Sequence, residues 1–232
     1  VGPVAVPIVV GAILFDLAVG DDPTVRPDAD CGYSAATHAS TETSAEGNIG
    51  AGAGATVGKL RGLSRAMKGG TGTASITLDS GLTVAAIVAV NAVGDIIDPA
   101  TGSVIAGVRT ADGRSLADAR ALLRTGAPNE PDSGANTTIG VVATNATLTK
   151  AEATKVAQMA QDGLARTIYP AHTPGDGDTV FSLAMGTFSG TASVSTIGAL
   201  AADVMAEAII RAVRAATGIP GIPAAGDIST GR

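Results

Sequence analysis

The chain has 232 residues, of which 45% are hydrophobic and 16% charged, and this composition indicates a globular protein and excludes a disordered one. The formal net charge is -6 and the basic residues form no cluster, which excludes a nucleic-acid-binding face. No apolar run approaches the roughly 20 residues that a membrane span needs.

The cysteine content bears on the compartment. Cys31 is the single cysteine, so no disulfide can form within the chain, and we expect a reducing compartment, the cytoplasm. Cys31 itself is expected to be a small buried side chain. The sequence begins at Val1, close to a strand-like run. We expect the true N-terminus to lie upstream, where any targeting signal would also lie.

The first half of the chain predicts a strand, a helix and a hairpin. Residues 4–17 are rich in Val and Ile and predict a buried strand. Residues 27–40 are rich in Ala, with acidic residues near the start, and predict a short helix. Five glycines in residues 47–58 predict close approach of the backbone. Residues 72–78 and 82–90 flank an Asp-Ser-Gly turn and predict a β-hairpin.

The second half alternates strands with helices. Residues 125–136 (TGAPNEPDSGAN) predict an exposed, mobile loop. A β-branched strand is predicted at 138–144 and another strand at 178–185. Residues 149–166 have helical apolar spacing behind a Thr-x-x-Glu capping box, and 193–216 predict a long buried helix.

The order of these elements predicts the architecture. Short connections between strands favour a largely antiparallel sheet with helices covering its outside faces, which is an α+β arrangement. The tail 217–232 contains Pro220, Pro223 and several glycines, and we expect it to be loosely held.

The junction between Asn136 and Thr137 is the first chemical candidate. A hydrophilic loop ends there at a Thr that opens a core strand. If the peptide bond before Thr137 is cut, that residue carries a hydroxyl and an α-amine. An amine with a pKa of about 7.7 to 8.0 can act as the general base for the hydroxyl. The alternative is an ordinary junction between a loop and a strand.

A second candidate is the pair Asp176 and Asp178, which one glycine separates just before a strand. Residues at i and i+2 of an extended segment point to the same side, so the two carboxylates could orient an ammonium or a hydroxyl. The pair could instead be a polar turn. A calcium loop would need further oxygen ligands and a bidentate Glu, which the sequence lacks.

Two other residues invite a functional interpretation. Nothing pairs His172 with a Ser or Cys in a recognisable triad, so we assign it a structural role. Lys68 and the two glycines after it lack the spacing of a phosphate-binding loop, and we expect a tight turn before the hairpin.

Five spaced segments carry a resemblance to a known family: AGAGATVGK, KGGTGTAS, AVNAVGDIIDPATG, NTTIGVVATNATLT and DGLARTIYPAHTPGDGDTVFSLAMG. They resemble the β-aminopeptidase family, also called L-aminopeptidase/D-amidase-esterase. This family includes the nylon-oligomer hydrolases and is similar in fold to ornithine acetyltransferases. The resemblance runs from about residue 6 to about 208. It implies a layered αββα-type sandwich. It also implies self-cleavage between Asn136 and Thr137 into parts 1–136 and 137–232, which together form one domain.

The resemblance also implies the roles of the site residues. Thr137 matches the nucleophile of the family, and Asn91 matches an Asn that lends its side chain to the oxyanion site. Lys59 matches a lysine after the Gly-rich run. Asp176 and Asp178 match an Asp-Gly-Asp pair that hydrogen-bonds around the nucleophile in the nylon-oligomer branch. The alternatives are a turn residue for Asn91, a solvated surface lysine for Lys59 and structural support for the aspartates.

The sequence departs from the family at two points. Phe15 stands where many members have a Tyr near the active site, so a hydroxyl contact is expected to be missing. Members also carry a further segment before the point that matches Val1.

We expect a hydrolase of small amides, of peptides with a free amino terminus or of oligoamides, with no metal or organic cofactor, acting as a homo-oligomer. The alternatives are an acyltransferase of the ornithine acetyltransferase type and a non-catalytic relative on the same scaffold.

Overall fold

The computed structural model of the protein describes residues 4, 6, 8–126 and 136–228. Most of the loop predicted at 125–136 therefore lies outside the described residues, from 127 to 135. The helices and strands in chain order are α1 (Ala29–Thr37), β1 (Thr56–Val57), β2 (Met67–Lys68), β3 (Gly70–Thr77), β4 (Thr83–Asn91), β5 (Asp95–Ile97), β6 (Val104–Ala106), α2 (Ala119–Arg124), β7 (Thr137–Thr144), α3 (Lys150–Thr167), β8 (Ile168–Tyr169), β9 (Thr179–Ala184) and α4 (Val194–Ala215).

A four-stranded sheet in the order β3-β4-β7-β9 forms the centre of the fold. The predicted hairpin is confirmed as β3 and β4, and the turn between them has a left-handed glycine, Gly81, at φ 85°. The β7 strand is antiparallel to β4, whereas β9 is parallel to β7. The expectation of largely antiparallel pairing is thus confirmed, with one parallel pair at the edge.

Two long helices, α3 and α4, cover one face of this sheet. The predicted capping box is present at α3, where Thr149 and Glu152 satisfy each other's backbone amides, and the Ser193 side chain caps α4. Alternate strand residues such as Val88 and Val142 are fully buried with residues of both helices. The arrangement confirms the α+β class. None of the helices in the described part of the chain has the length and hydropathy that crossing a bilayer requires.

The predicted strand at residues 4–17 is wrong. Its described residues have no regular structure, and most of its apolar side chains are exposed, with Val9 at 92%. A strand needs a neighbouring strand to receive its backbone hydrogen bonds, and no described strand pairs with this segment. Pro7 and Gly11 also interrupt the pattern. Apolar composition therefore predicted a buried strand where most of the described side chains are exposed and only the end of the segment, residues 12–17, contacts the rest of the fold.

Two smaller expectations are also corrected. Cys31 is exposed, because it lies on α1, none of whose residues is buried. The tail is held in place as far as residue 228. Ile222 and Ala224 are buried there, and the backbone amide of Lys68 donates to the carbonyl of Pro223 at 2.9 Å.

Candidate active site

The structure places Thr137 directly opposite Asn91, at the end of the sheet where β7 begins and β4 ends. Both residues are buried. They alternate with core residues such as Val90 and Val142, so their side chains lie on the face of the sheet that is turned away from α3 and α4. The ladder thus fixes an amide beside a hydroxyl at one end of the sheet.

The Thr137 hydroxyl faces the peptide bond that precedes it. Its Oγ1 donates to the carbonyl oxygen of Asn136 at 2.5 Å, and the backbone N–H of Gly177 donates to the same oxygen at 2.8 Å. The predicted nucleophile therefore lies against the predicted scissile carbonyl.

Lys59 contacts Asn91 rather than solvent. Its Nζ donates to Oδ1 of Asn91 at 2.7 Å and to the backbone carbonyl of the same residue at 3.2 Å. Lys59 is only 8% exposed, so the alternative of a solvated surface lysine is wrong. Burial lowers the pKa of this amine to about 7, and the nearby carboxylates of Asp176 and Asp16 oppose that shift only in part. A large fraction of Lys59 is therefore uncharged near neutral pH.

The Gly-rich segment delivers Lys59 to this position. Just before it, the backbone amide of Thr56 donates to Oδ1 of Asn91 at 3.0 Å. Gly58 has a φ of 71°, and a Cβ there would lie 2.1 Å from the backbone carbonyl carbon of Gly107. Only glycine fits that close approach. The prediction of close backbone contact in this segment is confirmed.

Lys68 donates hydrogen bonds to the backbone of the same Gly-rich segment. It is fully buried in β2, and its Nζ donates to the carbonyls of Ala53 at 3.0 Å and Ala55 at 2.6 Å. Burial lowers its pKa to about 8. The expected tight turn is therefore wrong. The sequence gave no signal for this role, because the carbonyl acceptors precede Lys68 by more than ten residues.

Phe15 contacts the nitrogen of the Asn91 side-chain amide. The Nδ2 of Asn91 donates to the backbone carbonyl of Phe15 at 2.9 Å. The Phe15 side chain lines a cavity of about 50 Å³ together with Thr56, Lys59 and Asn136. A small cavity thus borders Asn136, the residue before the predicted nucleophile, and a backbone oxygen holds the Asn91 amide in place.

The two aspartates brace the turn that ends beside Thr137. Asp176 accepts hydrogen bonds from the Thr173 hydroxyl at 2.6 Å and from the amide of Val93 at 3.2 Å. Asp178 accepts from the backbone amide of Thr138 at 2.9 Å. Burial and the neighbouring Asp176 raise the pKa of Asp178. In the uncut chain the Thr137 nitrogen is a peptide nitrogen, so an interaction with its free amine stays a prediction.

Sequence reasoning missed the contact of His172 with this turn. The imidazole Nδ1 lies 2.9 Å from Oδ2 of Asp178, and the His172 side chain is 39% exposed. Its backbone has a φ of 55°, a left-handed conformation that His tolerates better than most residues. The structure therefore brings together the five predicted site residues and adds His172 at their edge. In the described ranges, no group of His, Cys, Asp and Glu side chains could hold a metal ion.

Solved structures of aminopeptidases share this fold. A β-aminopeptidase of Burkholderia sp. superposes with a TM-score of 0.56 at 27% identity, over 81% of this chain and 51% of that chain. The L-aminopeptidase D-Ala-esterase/amidase of Ochrobactrum anthropi has a TM-score of 0.53 at 20% identity and covers 80% and 51%. Its structure is described as a variant of the Ntn hydrolase fold. The chain thus has the fold of these aminopeptidases.

Sequence comparison gives the family. Residues 2–225 match Peptidase family S58, so the chain belongs to that family. An uncharacterized aminopeptidase of Mycobacterium leprae is 46% identical over 94% of this chain and 64% of its own length. A 6-aminohexanoate-oligomer endohydrolase of Paenarthrobacter ureafaciens is 30% identical over 88% of this chain and 61% of its length. The chain therefore spans somewhat less than two thirds of each of these relatives.

Proposed function

We propose that the chain is a self-processing N-terminal-nucleophile hydrolase that is cut between Asn136 and Thr137 and then hydrolyses amides through Thr137. One observation carries the proposal. The Thr137 hydroxyl lies 2.5 Å from the carbonyl oxygen of the bond to be cut, at the rigid start of a core strand. Membership of Peptidase family S58 supports a hydrolase.

The cleavage proceeds in two steps. Oγ1 of Thr137 attacks the carbonyl carbon of Asn136 as its proton passes to a base, and we assign that role to Lys59 in its uncharged form. The C–N bond then breaks, the Thr137 nitrogen takes up a proton, and an ester joins the two residues. Water hydrolyses the ester to a carboxylate on Asn136 and a free amine and hydroxyl on Thr137. The parts 1–136 and 137–232 would stay together, because β4 and β7 pair within one sheet.

Turnover uses the new terminus. The α-amine of Thr137, with an ordinary pKa of about 7.7 to 8.0, takes the proton as the hydroxyl attacks a substrate amide and an acyl-enzyme forms. The Asn91 side chain would donate to the oxyanion, an effect worth about 3 kcal/mol for one such donor. Since that amide donates to the Phe15 carbonyl in the structure, a substrate oxygen has to compete with that contact.

The substrate class is proposed from the relatives and from the adjoining surface. Two relatives are an aminopeptidase and a 6-aminohexanoate-oligomer endohydrolase. A mostly apolar cavity of about 670 Å³ is lined by residues 12–17 and by Ile139, on the strand that Thr137 opens. We propose small amides, peptides with a free amino terminus or aliphatic oligoamides. From the resemblance and the single cysteine, we further propose a homo-oligomer in the cytoplasm.

The test is intact-mass spectrometry of the wild type and three variants. We expect the wild type to give two fragments, one of which begins at Thr137. Thr137→Ala should give a single uncut chain without amidase activity, and Thr137→Ser should still be cut because it keeps a hydroxyl. The matched control is Thr138→Val, which removes the neighbouring hydroxyl and keeps the backbone amide.

Two outcomes would overturn the proposal. One is an uncut wild type, and the other is a Thr137→Ala protein that keeps its amidase activity. Transfer of the acyl group to ornithine in preference to water would replace the hydrolase with an acyltransferase.

A further inference from the structure

The carbonyl oxygen of Asn136, at the proposed scissile bond, also accepts a hydrogen bond from a backbone amide. The N–H of Gly177 donates to the carbonyl oxygen of Asn136 at 2.8 Å. The Thr137 hydroxyl donates to the same oxygen, but it gives up its proton when it attacks. A donor that stabilises an oxyanion should lie about 2.7 to 3.1 Å from the oxygen that becomes charged. The Gly177 amide meets that distance before the reaction begins.

We propose that the backbone N–H of Gly177 stabilises the oxyanion that forms on Asn136 during self-cleavage. This inference rests on the proposed self-cleavage. As the bond from Oγ1 to the Asn136 carbon forms, the electron pair of the C=O bond moves onto the Asn136 oxygen, and the Gly177 amide stabilises it. When the intermediate collapses, the C=O bond re-forms, the C–N bond breaks, and the Thr137 nitrogen takes up a proton.

The flanking aspartates hold this amide in position. Asp176 ties the turn to the chain after β4 through the amide of Val93 at 3.2 Å, and Asp178 ties it to β7 through the amide of Thr138 at 2.9 Å. A bridge between Asn136 and Asp176 adds a contact along the backbone. Gly177 is thus fixed on both sides, and a preorganised donor needs no reorientation as charge develops. We assign Asp176 and Asp178 as positioning residues for this amide.

The same geometry explains why residue 177 is a glycine. A Cβ at this position would lie 2.8 Å from Oγ1 of Thr137, closer than side chains tolerate. A Cβ on Gly175, two residues earlier, would meet only the Thr173 hydroxyl, at an ordinary 3.6 Å. A side chain at 177 would therefore press on the nucleophile, whereas one at 175 would not.

The sharpest experiment replaces Gly177 by glycolic acid, which exchanges the amide for an ester. The change removes the N–H and adds no atom near Thr137. The matched control is the same replacement at Gly175, whose N–H donates to the Thr173 hydroxyl at 3.2 Å and not to the scissile carbonyl. The rate of appearance of the fragment that begins at Thr137 is followed by intact mass. Hydrolysis of the introduced ester gives fragments of different mass and is counted separately.

We expect the ester at 177 to slow cleavage about 10²- to 10³-fold and the ester at 175 to slow it less than about fivefold. Equal rates for the two esters, with a wild type that is cut, would overturn the role of Gly177 and leave self-cleavage standing. A wild type that is never cut would overturn both.

A genetic version uses Gly177→Ala and Gly175→Ala. Each is also made with Thr137→Ala, so that the melting temperature of the uncut chain separates loss of folding from loss of cleavage. We expect Gly177→Ala alone to lose cleavage while its Thr137→Ala form still melts cooperatively. Because alanine keeps the backbone N–H, a Gly177→Ala chain that is cut as fast as Gly175→Ala would contradict the steric account of the glycine at 177, whereas the ester replacement tests the amide itself.

Discussion

The two faces of the four-stranded sheet differ although the same strands form them. On one face, Val88 and Val142 are buried against α3 and α4 in an apolar cluster. On the other face, the same strands carry Thr137 and Asn91, and Ile87 remains 41% exposed. Alternation along each strand separates the two roles by a single residue. Packing against the helices makes the strands rigid, and the rigid strands hold the reacting groups in place on the opposite face.

The end of the second face where Thr137 and Asn91 lie contains buried ionisable groups, which an apolar core excludes. Lys59 is a buried amine whose pKa burial lowers to about 7, and Asp178 is a buried carboxylate whose pKa burial raises. Burying either group in its charged form costs free energy. Strained or desolvated groups that persist in a folded protein are typical of functional sites. We therefore expect substitutions on the helix-covered face to lower the free energy of unfolding, and removal of a desolvated group at the site to relieve a free-energy cost.

The largest expected difference is between two isoleucines. Ile209 on α4 is fully buried in the cluster that contains Val88, and Ile209→Ala should lower the free energy of unfolding by roughly 2 to 5 kcal/mol. Ile87→Ala removes the same atoms from the half-exposed face and should cost about 1 kcal/mol. Urea unfolding of both variants, each with Thr137→Ala to keep the chain uncut, measures the difference. Equal losses would mean that the two faces are packed alike.

The next prediction concerns Lys59 and pH. Its pKa is about 7 in the folded chain against 10.5 ordinarily, so between these values the unfolded chain binds more protons and stability rises with pH. Lys59→Met removes the group. Its stability relative to the parent should therefore fall from pH 7 to pH 10, by up to about 1.4 kcal/mol per pH unit, and should be level below pH 7.

The measurement is urea unfolding at several pH values, with Thr137→Ala in both chains. Lys155→Met, which removes an exposed lysine of α3, is the control. Parallel pH curves for Lys59→Met and its parent would show that the Lys59 amine is not desolvated, and would also remove it as the base in cleavage.

Much of the packed face could be predicted from sequence, because its signals are local. The Asp-Ser-Gly turn defines the hairpin, and the capping box starts α3 at Lys150. The contacts around the site could not be predicted in this way. Lys68 and His172 contact their partners only in the folded chain. The Gly177 contact is made by a backbone amide, so no side chain in the sequence indicates it. Local pattern made candidates of Thr137 and of the pair Asp176 and Asp178, each with a plausible alternative. Only the resemblance added Asn91 and Lys59.

The smallest predicted effect tests whether His172 belongs to the catalytic residues. His172 lies 2.9 Å from Asp178 at the rim of the site, and a partly exposed side-chain contact of this kind contributes at most about 1 kcal/mol. His172→Asn keeps a residue that accepts the left-handed backbone and removes the imidazole. We expect self-cleavage to slow less than about fivefold, with His38→Asn at the exposed C-cap of α1 as the control. A loss of a hundredfold or more would instead place His172 in the proton transfer, because bracing one carboxylate from the rim cannot account for so large an effect.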